Sequence, residues 1–96
     1  MRGAYVYFMT NRRNGTLYIG VTTHLVRRVV EHREGLVPGF TARYGLKRLV
    51  YYEYHADIRE AIVAEKRWKE RRRIIKIRMI ERVNPEWRDL YDDLVK

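Results

Sequence analysis

The sequence predicts an α+β fold, a small three-stranded antiparallel sheet flanked by helices in the order β-β-α-β-α-α-α. Three observations predict it. Two short runs of aromatic and β-branched residues flank a polar loop that ends in Gly15. A third such run follows a stretch containing Pro38, Gly39 and Gly45. The remaining long segments carry apolar residues at helical spacing.

Residues 4 to 9 and 16 to 21 form the first two predicted strands, joined through Thr10-Asn11-Arg12-Arg13-Asn14-Gly15. With the loop centred on Arg12 and Arg13 and Gly15 in the left-handed conformation, Tyr7 is expected opposite Tyr18 on one sheet face. Thr22 or Thr23 is a suitable N-cap for a helix whose stripe is Leu25, Val26, Val29 and Val30, ending near Gly35. Residues 36 to 45 read as a loop with at most a short helical turn, and residues 48 to 54 as the third strand. Asp57 caps a helix with the stripe Ile58, Ala61, Ile62 and Trp68, which runs into the basic segment Lys69 to Arg73. Ile74, Ile75, Ile77, Met79, Ile80 and Val83 continue a helical pattern after a bend. Asn84-Pro85 reads as an N-cap with Pro at the first helical position, followed by Trp87, Leu90, Tyr91 and Leu94 on a last helix.

At 96 residues the chain has length for one domain, 1–96, around one modest core. No Cys is present, which excludes a disulfide framework, a thiolate nucleophile and a cysteine zinc site; a metal must sit on oxygen or imidazole. The apolar run at the N-terminus is too short for a secretory signal and no stretch approaches a membrane span, so a cytoplasmic location and no membrane partner are expected. Lys and Arg number 21 against 12 Asp and Glu, a formal net charge of +9, and such a field concentrates polyanions at the surface. Nucleic acid is therefore the first partner to consider.

Several side chains fall where chemistry needs them, each beside a plainer reading. Tyr7 and Tyr18 supply two phenols able to hold or deprotonate a water, or simply to pack as strand tyrosines do. Arg28 and His32, four residues apart, project from one helix face and suit a phosphate, or form a solvated face. Glu65 falls in register with the sheet-facing stripe of its helix, where a carboxylate needs a partner: an inward Arg, or a divalent cation bound through oxygen. Asn84 needs no substrate if it caps a helix. Arg71, Arg72 and Arg73, with Lys69 and Lys76, can track a nucleic-acid backbone, and Arg27 and Arg43 are further basic candidates for that contact.

Tyr5-Val6-Tyr7 followed by Tyr18-Ile19-Gly20 across a short loop resembles the paired half-motifs of the GIY-YIG nucleases. The resemblance extends to Arg28 with His32, to Glu65 ahead of Trp68 and to Asn84-Pro85-Glu86-Trp87-Arg88-Asp89-Leu90, and so to nearly the whole chain and to the small single-domain bacterial branch. Tyr5 stands where the namesake Gly would be, and Val21 where excision-repair relatives carry Lys, so one positive charge is missing from the motif. The resemblance implies a metal-dependent endonuclease acting on DNA, with RNA left open as a substrate, and no small-molecule cofactor. Glu65 would hold Mg²⁺ or Mn²⁺, and Tyr18 or Tyr7 would activate or orient the attacking water. The second phenol would bind phosphate, Arg28 would stabilise the transition state and His32 would assist proton transfer. Asn84 and Thr41 match positions where relatives place polar groups near the site.

Two other classes fit the same residues. One is a nucleic-acid-binding module of this fold with little cleavage, consistent with Val21. The other is a protein-interaction subunit whose Trp87 to Leu94 helix docks a partner. A homo-oligomer is compatible with either.

Overall fold

The computed structural model describes residues 2–96. Its elements are β1 (Ala4–Thr10), β2 (Leu17–Thr22), α1 (Leu25–Arg33), α2 (Phe40–Tyr44), β3 (Arg48–His55), α3 (Ile58–Glu70), α4 (Arg73–Val83) and α5 (Tyr91–Leu94). The strands form one antiparallel sheet in the order β2-β1-β3. The α+β class and the three-stranded sheet are as the sequence predicts; the stretch from 36 to 45 contributes the one-turn helix α2.

β1 is central, and its near-continuous apolar sequence reflects burial on both faces. Val6 and Phe8 pack with Ile19, Ala61, Ile80 and Trp87 on the side of α3 and α4. Tyr7 and Met9 alternate to the opposite side, against Leu25, Val29, Leu46 and Leu49. Helix α1 ends in a left-handed Gly35 with φ of 72°. Its amide donates to the His32 carbonyl at 3.1 Å and that of Leu36 to Glu31 at 2.8 Å, the paired bonds of a Schellman ending. His24 is the N-cap residue, and the Thr22 hydroxyl accepts from the His24 amide at 3.1 Å instead of capping the helix.

The hairpin differs from expectation by two residues. Tyr7 pairs with Gly20, and Tyr18 with Met9. The turn is centred later because Asn14, with φ of 55°, takes the left-handed position expected of Gly15. Arg73 holds it there, donating from Nη2 to the carbonyls of Asn14 at 2.8 Å and Gly15 at 2.7 Å. A shift of two preserves the face of every side chain, so Tyr7 and Tyr18 remain on one side, as diagonal neighbours.

The larger departure lies after α4. Asn84 is the C-cap of α4, and no helix starts at Pro85; α5 is one turn only, from Tyr91. The cause is a bulge in β3. Phe8 pairs with Tyr51 and Met9 with Leu49, so Val50 is the extra residue. The Val50 carbonyl, released from the ladder, accepts from Asn84 Nδ2 at 3.1 Å. The same amide group donates to the Arg88 carbonyl at 2.9 Å, and Asn84 Oδ1 accepts from the Arg88 amide at 3.0 Å. Farther along, Asp89 Oδ1 accepts from the Leu49 amide at 3.2 Å and the Leu90 amide donates to Leu49 at 2.8 Å. The 84–90 segment thereby covers the exposed edge of β3. Trp87 inserts fully into the core with its Nε1 donating to Glu81 at 2.8 Å, at a φ of 56°. That backbone costs about 1–2 kcal/mol in a non-Gly residue, which the buried indole offsets. Trp87 therefore presents nothing to a partner.

Asn84→Ala removes three hydrogen bonds and leaves the buried Val50 carbonyl without a partner. A loss of about 3 kcal/mol is expected from urea unfolding midpoints. A loss under about 1 kcal/mol would show that the clamp does not hold the edge.

Candidate active site

Tyr7 reaches its place because Gly20 lies opposite it with no side chain: a Cβ built there would sit 2.6 Å from the Tyr7 oxygen. The phenol lies in that space and reaches His32, its oxygen 2.9 Å from Nε2. His32 Nδ1 is 3.0 Å from the Thr41 hydroxyl. Three elements, β1, α1 and α2, are thus linked by one buried polar chain, and His32 and Thr41 are almost wholly enclosed. The Tyr18 ring completes a triangle, its centroid 6.2 Å from Tyr7 and 5.5 Å from His32.

Burial first, and the neighbouring Tyr18 next, hold the Tyr7 hydroxyl protonated well above the usual phenol range; the Arg28 charge pulls the other way and Glu65 adds to the upward shift. The Tyr7 phenol is accordingly kept protonated at neutral pH. His32 is pushed below the ordinary imidazole range by burial and by the Arg28 charge, with Glu31 opposing. The ring is neutral, so one nitrogen donates and the other accepts along the Tyr7-His32-Thr41 chain.

Arg28 stands on the solvent side of this cluster, partly exposed, with Glu31 at 3.5 Å. Such a pair is weak, and the guanidinium can exchange Glu31 for a phosphate without a large penalty. On α3, Glu65 is turned largely inward, its side chain 14% exposed, and its partner is Lys69, one turn on, at 3.3 Å. The spacing of four made that pair legible in the sequence, although an inward Arg or a cation is what burial suggested.

The donor set bears on a divalent ion in a specific way. Among the described residues, no three His, Asp or Glu side chains gather. A closed cage of protein ligands is therefore absent there; Glu65, held by a flexible lysine, lies near enough for its charge to act on Tyr7, and Glu31 is paired with Arg28. That suits Mg²⁺ or Mn²⁺, which is commonly bound by one or two carboxylates plus water and substrate phosphate.

Tyr7, Tyr18, Arg28, His32 and Glu65 thus come together, with Thr41 behind them. Asn84 does not: its amide is committed to the backbone beside Val50, in the core layer on the other side of the sheet. Nor is Arg73 a free cation, since its guanidinium holds the hairpin turn. Arg27 faces Glu31 at 3.5 Å, Arg43 lies over the Tyr44 ring at 5.6 Å, and Arg71 borders a groove beside Glu53, His55 and Trp68. Arg72 is exposed at the start of α4.

Residues 3–77 match the GIY-YIG catalytic domain. The chain belongs to that family, whose fold and half-motifs define a nuclease-type domain. Among its relatives are small proteins named UPF0213. One from Pediococcus pentosaceus is 32% identical over 82 residues, covering 85% of each chain. Another from Lacticaseibacillus paracasei is 31% identical over 84 residues, covering 88% of this chain and 94% of the relative. The solution NMR structure of a UPF0213 protein from Bacillus halodurans is similar with a TM-score of 0.56 at 26% identity, covering 91% of this chain and 92% of that one.

Two outcomes follow from the buried chain. The unfolded state takes up a proton at His32 as pH falls through about 6.5, while the folded state resists until lower pH, so stability falls with pH in that window. Urea midpoints at pH 7.5 and 5.5 should differ more in wild type than in His32→Gln; equal differences would show that the imidazole does not carry the effect. Gly20→Ala should displace the Tyr7 ring, which is too enclosed to move aside cheaply, and destabilise by about 1–3 kcal/mol on thermal unfolding.

Proposed function

We propose that the chain is a metal-dependent nuclease hydrolysing phosphodiester bonds in DNA at the Tyr7-Tyr18-His32 cluster. The observation that carries this reading is the convergence of two phenols and a neutral imidazole on one sheet face, between one arginine and one inward carboxylate. Family membership supports the class of reaction.

The roles divide by environment. Tyr18, only half-buried, faces water and orients and activates the attacking water. Tyr7, kept protonated, donates to a non-bridging phosphate oxygen. His32 fixes the Tyr7 hydroxyl and, through Thr41, is itself held in orientation. Arg28 releases Glu31 and neutralises charge that grows on the phosphoryl oxygens in the transition state. Glu65 is the residue that would hold Mg²⁺ or Mn²⁺. A cation there supplies Lewis-acid polarisation of the phosphate and acidifies bound water.

Purified protein incubated with supercoiled plasmid and single-stranded DNA in Mn²⁺, Mg²⁺ or EDTA tests the reading. Cleavage is expected with metal only, falling at least about a hundredfold in Tyr18→Phe and in Glu65→Gln, and less in His32→Gln. Cleavage undiminished in Glu65→Gln would remove Glu65 as the metal ligand. Salt-sensitive binding by wild type without cleavage under any metal would make the chain a nucleic-acid-binding module.

A further inference from the structure

Beside Tyr18 lies a cleft of 280 Å³, lined by Leu17, Tyr18 and Ile19 of β2, Phe40 of α2, Lys69 of α3 and Lys76 of α4. β2 is an edge strand, so no further strand closes this side of the sheet. The proposed reaction uses only Tyr18 of these residues. We propose that this cleft is a subsite for the nucleotide next to the scissile bond, in which Lys69 and Lys76 hold a backbone phosphate of DNA and Phe40 flanks the attached base. The assignment rests on the nuclease reading above.

Charge is the first argument. No carboxylate lines the cleft; Glu65, which Lys69 reaches at 3.3 Å, is the acidic group paired with its lysines. Lys76 Nζ donates to the Lys69 carbonyl at 3.4 Å, and no acidic side chain pairs with it among the described residues. Burial, then the nearby Arg73 charge, depress its pKa. A phosphate would neutralise a site that the protein itself leaves positive.

Shape and composition are the second. The Phe40 ring is largely exposed and braced against Tyr44, with centroids 4.9 Å apart, so an aromatic face borders the cations. Ammonium groups beside an aromatic wall are the pattern of a nucleotide subsite, because every base has a π-face while the backbone needs positive charge.

Position is the third. Lys69 joins the cleft to the reacting centre. It pairs with Glu65 at 3.3 Å from a half-exposed position, a weak pair that a phosphate can replace.

Fluorescence anisotropy of labelled oligonucleotides in EDTA, across a series of NaCl concentrations, tests the subsite without requiring cleavage. Lys69→Met/Lys76→Met should bind about tenfold more weakly near 0.1 M salt, with the slope of log affinity against log salt flatter by about one. Phe40→Ala should lose severalfold in affinity at an unchanged slope, since stacking releases no counterions. Lys47→Met, which removes one charge at an exposed residue just ahead of β3, serves as control and should match wild type. Unchanged affinity and slope in the double variant, or an equal loss in Lys47→Met, would overturn the subsite. A wild type that binds in this pattern but never cuts would refute the nuclease reading and leave the cleft standing.

Discussion

The contact on which the rest of the site depends is the Tyr7 phenol lying across Gly20 and meeting His32. It joins the central strand to its neighbour and to α1, and through Thr41 it reaches α2. A polar chain this enclosed is costly if any member lacks a partner. Here each is satisfied, and no buried side-chain nitrogen or oxygen among the described residues lacks a hydrogen bond. The consequence for chemistry is a division of labour. The phenol that is locked in cannot readily ionise, while the phenol beside it stays open to solvent.

The opposite side of the sheet supplies the support. Phe8, Tyr51 and Trp68 form an aromatic stack there, with centroid separations between 4.8 and 6.1 Å. Glu53 accepts from the Tyr51 hydroxyl at 2.7 Å and from Trp68 Nε1 at 2.9 Å. That stack seats α3 on the sheet, and the seating is what brings Glu65 towards the phenols from a helix that packs on the other side. One carboxylate with an exchangeable lysine partner leaves room for a hydrated cation, as a cage of several carboxylates would not.

Positive charge is distributed by function as much as by count. Arg73 is structural, because it anchors the hairpin turn, and Arg33 is joined to Asp89 at 2.6 Å. Arg28, by contrast, has only a loose pair with Glu31, and Lys69 and Lys76 face a cleft. A surface that is basic overall thus divides into cations already committed and cations available to an anion.

The sequence by itself determined the strands, the principal helices, the shared face of Tyr7 and Tyr18, the inward turn of Glu65 and its spacing from Lys69. All of these follow from periods of two or 3.6 residues, which local geometry imposes. Only the tertiary structure decided the hairpin register, because the turn is held by Arg73, 58 or 59 residues away in the chain. It also decided the fate of Asn84-Pro85. Locally that pair suits a helix start, but the bulge at Val50 offers a free carbonyl, and satisfying it outweighs a local preference. The ionisation of Tyr7 and His32 was equally beyond reach of sequence, since it depends on burial contributed by residues from three separate elements.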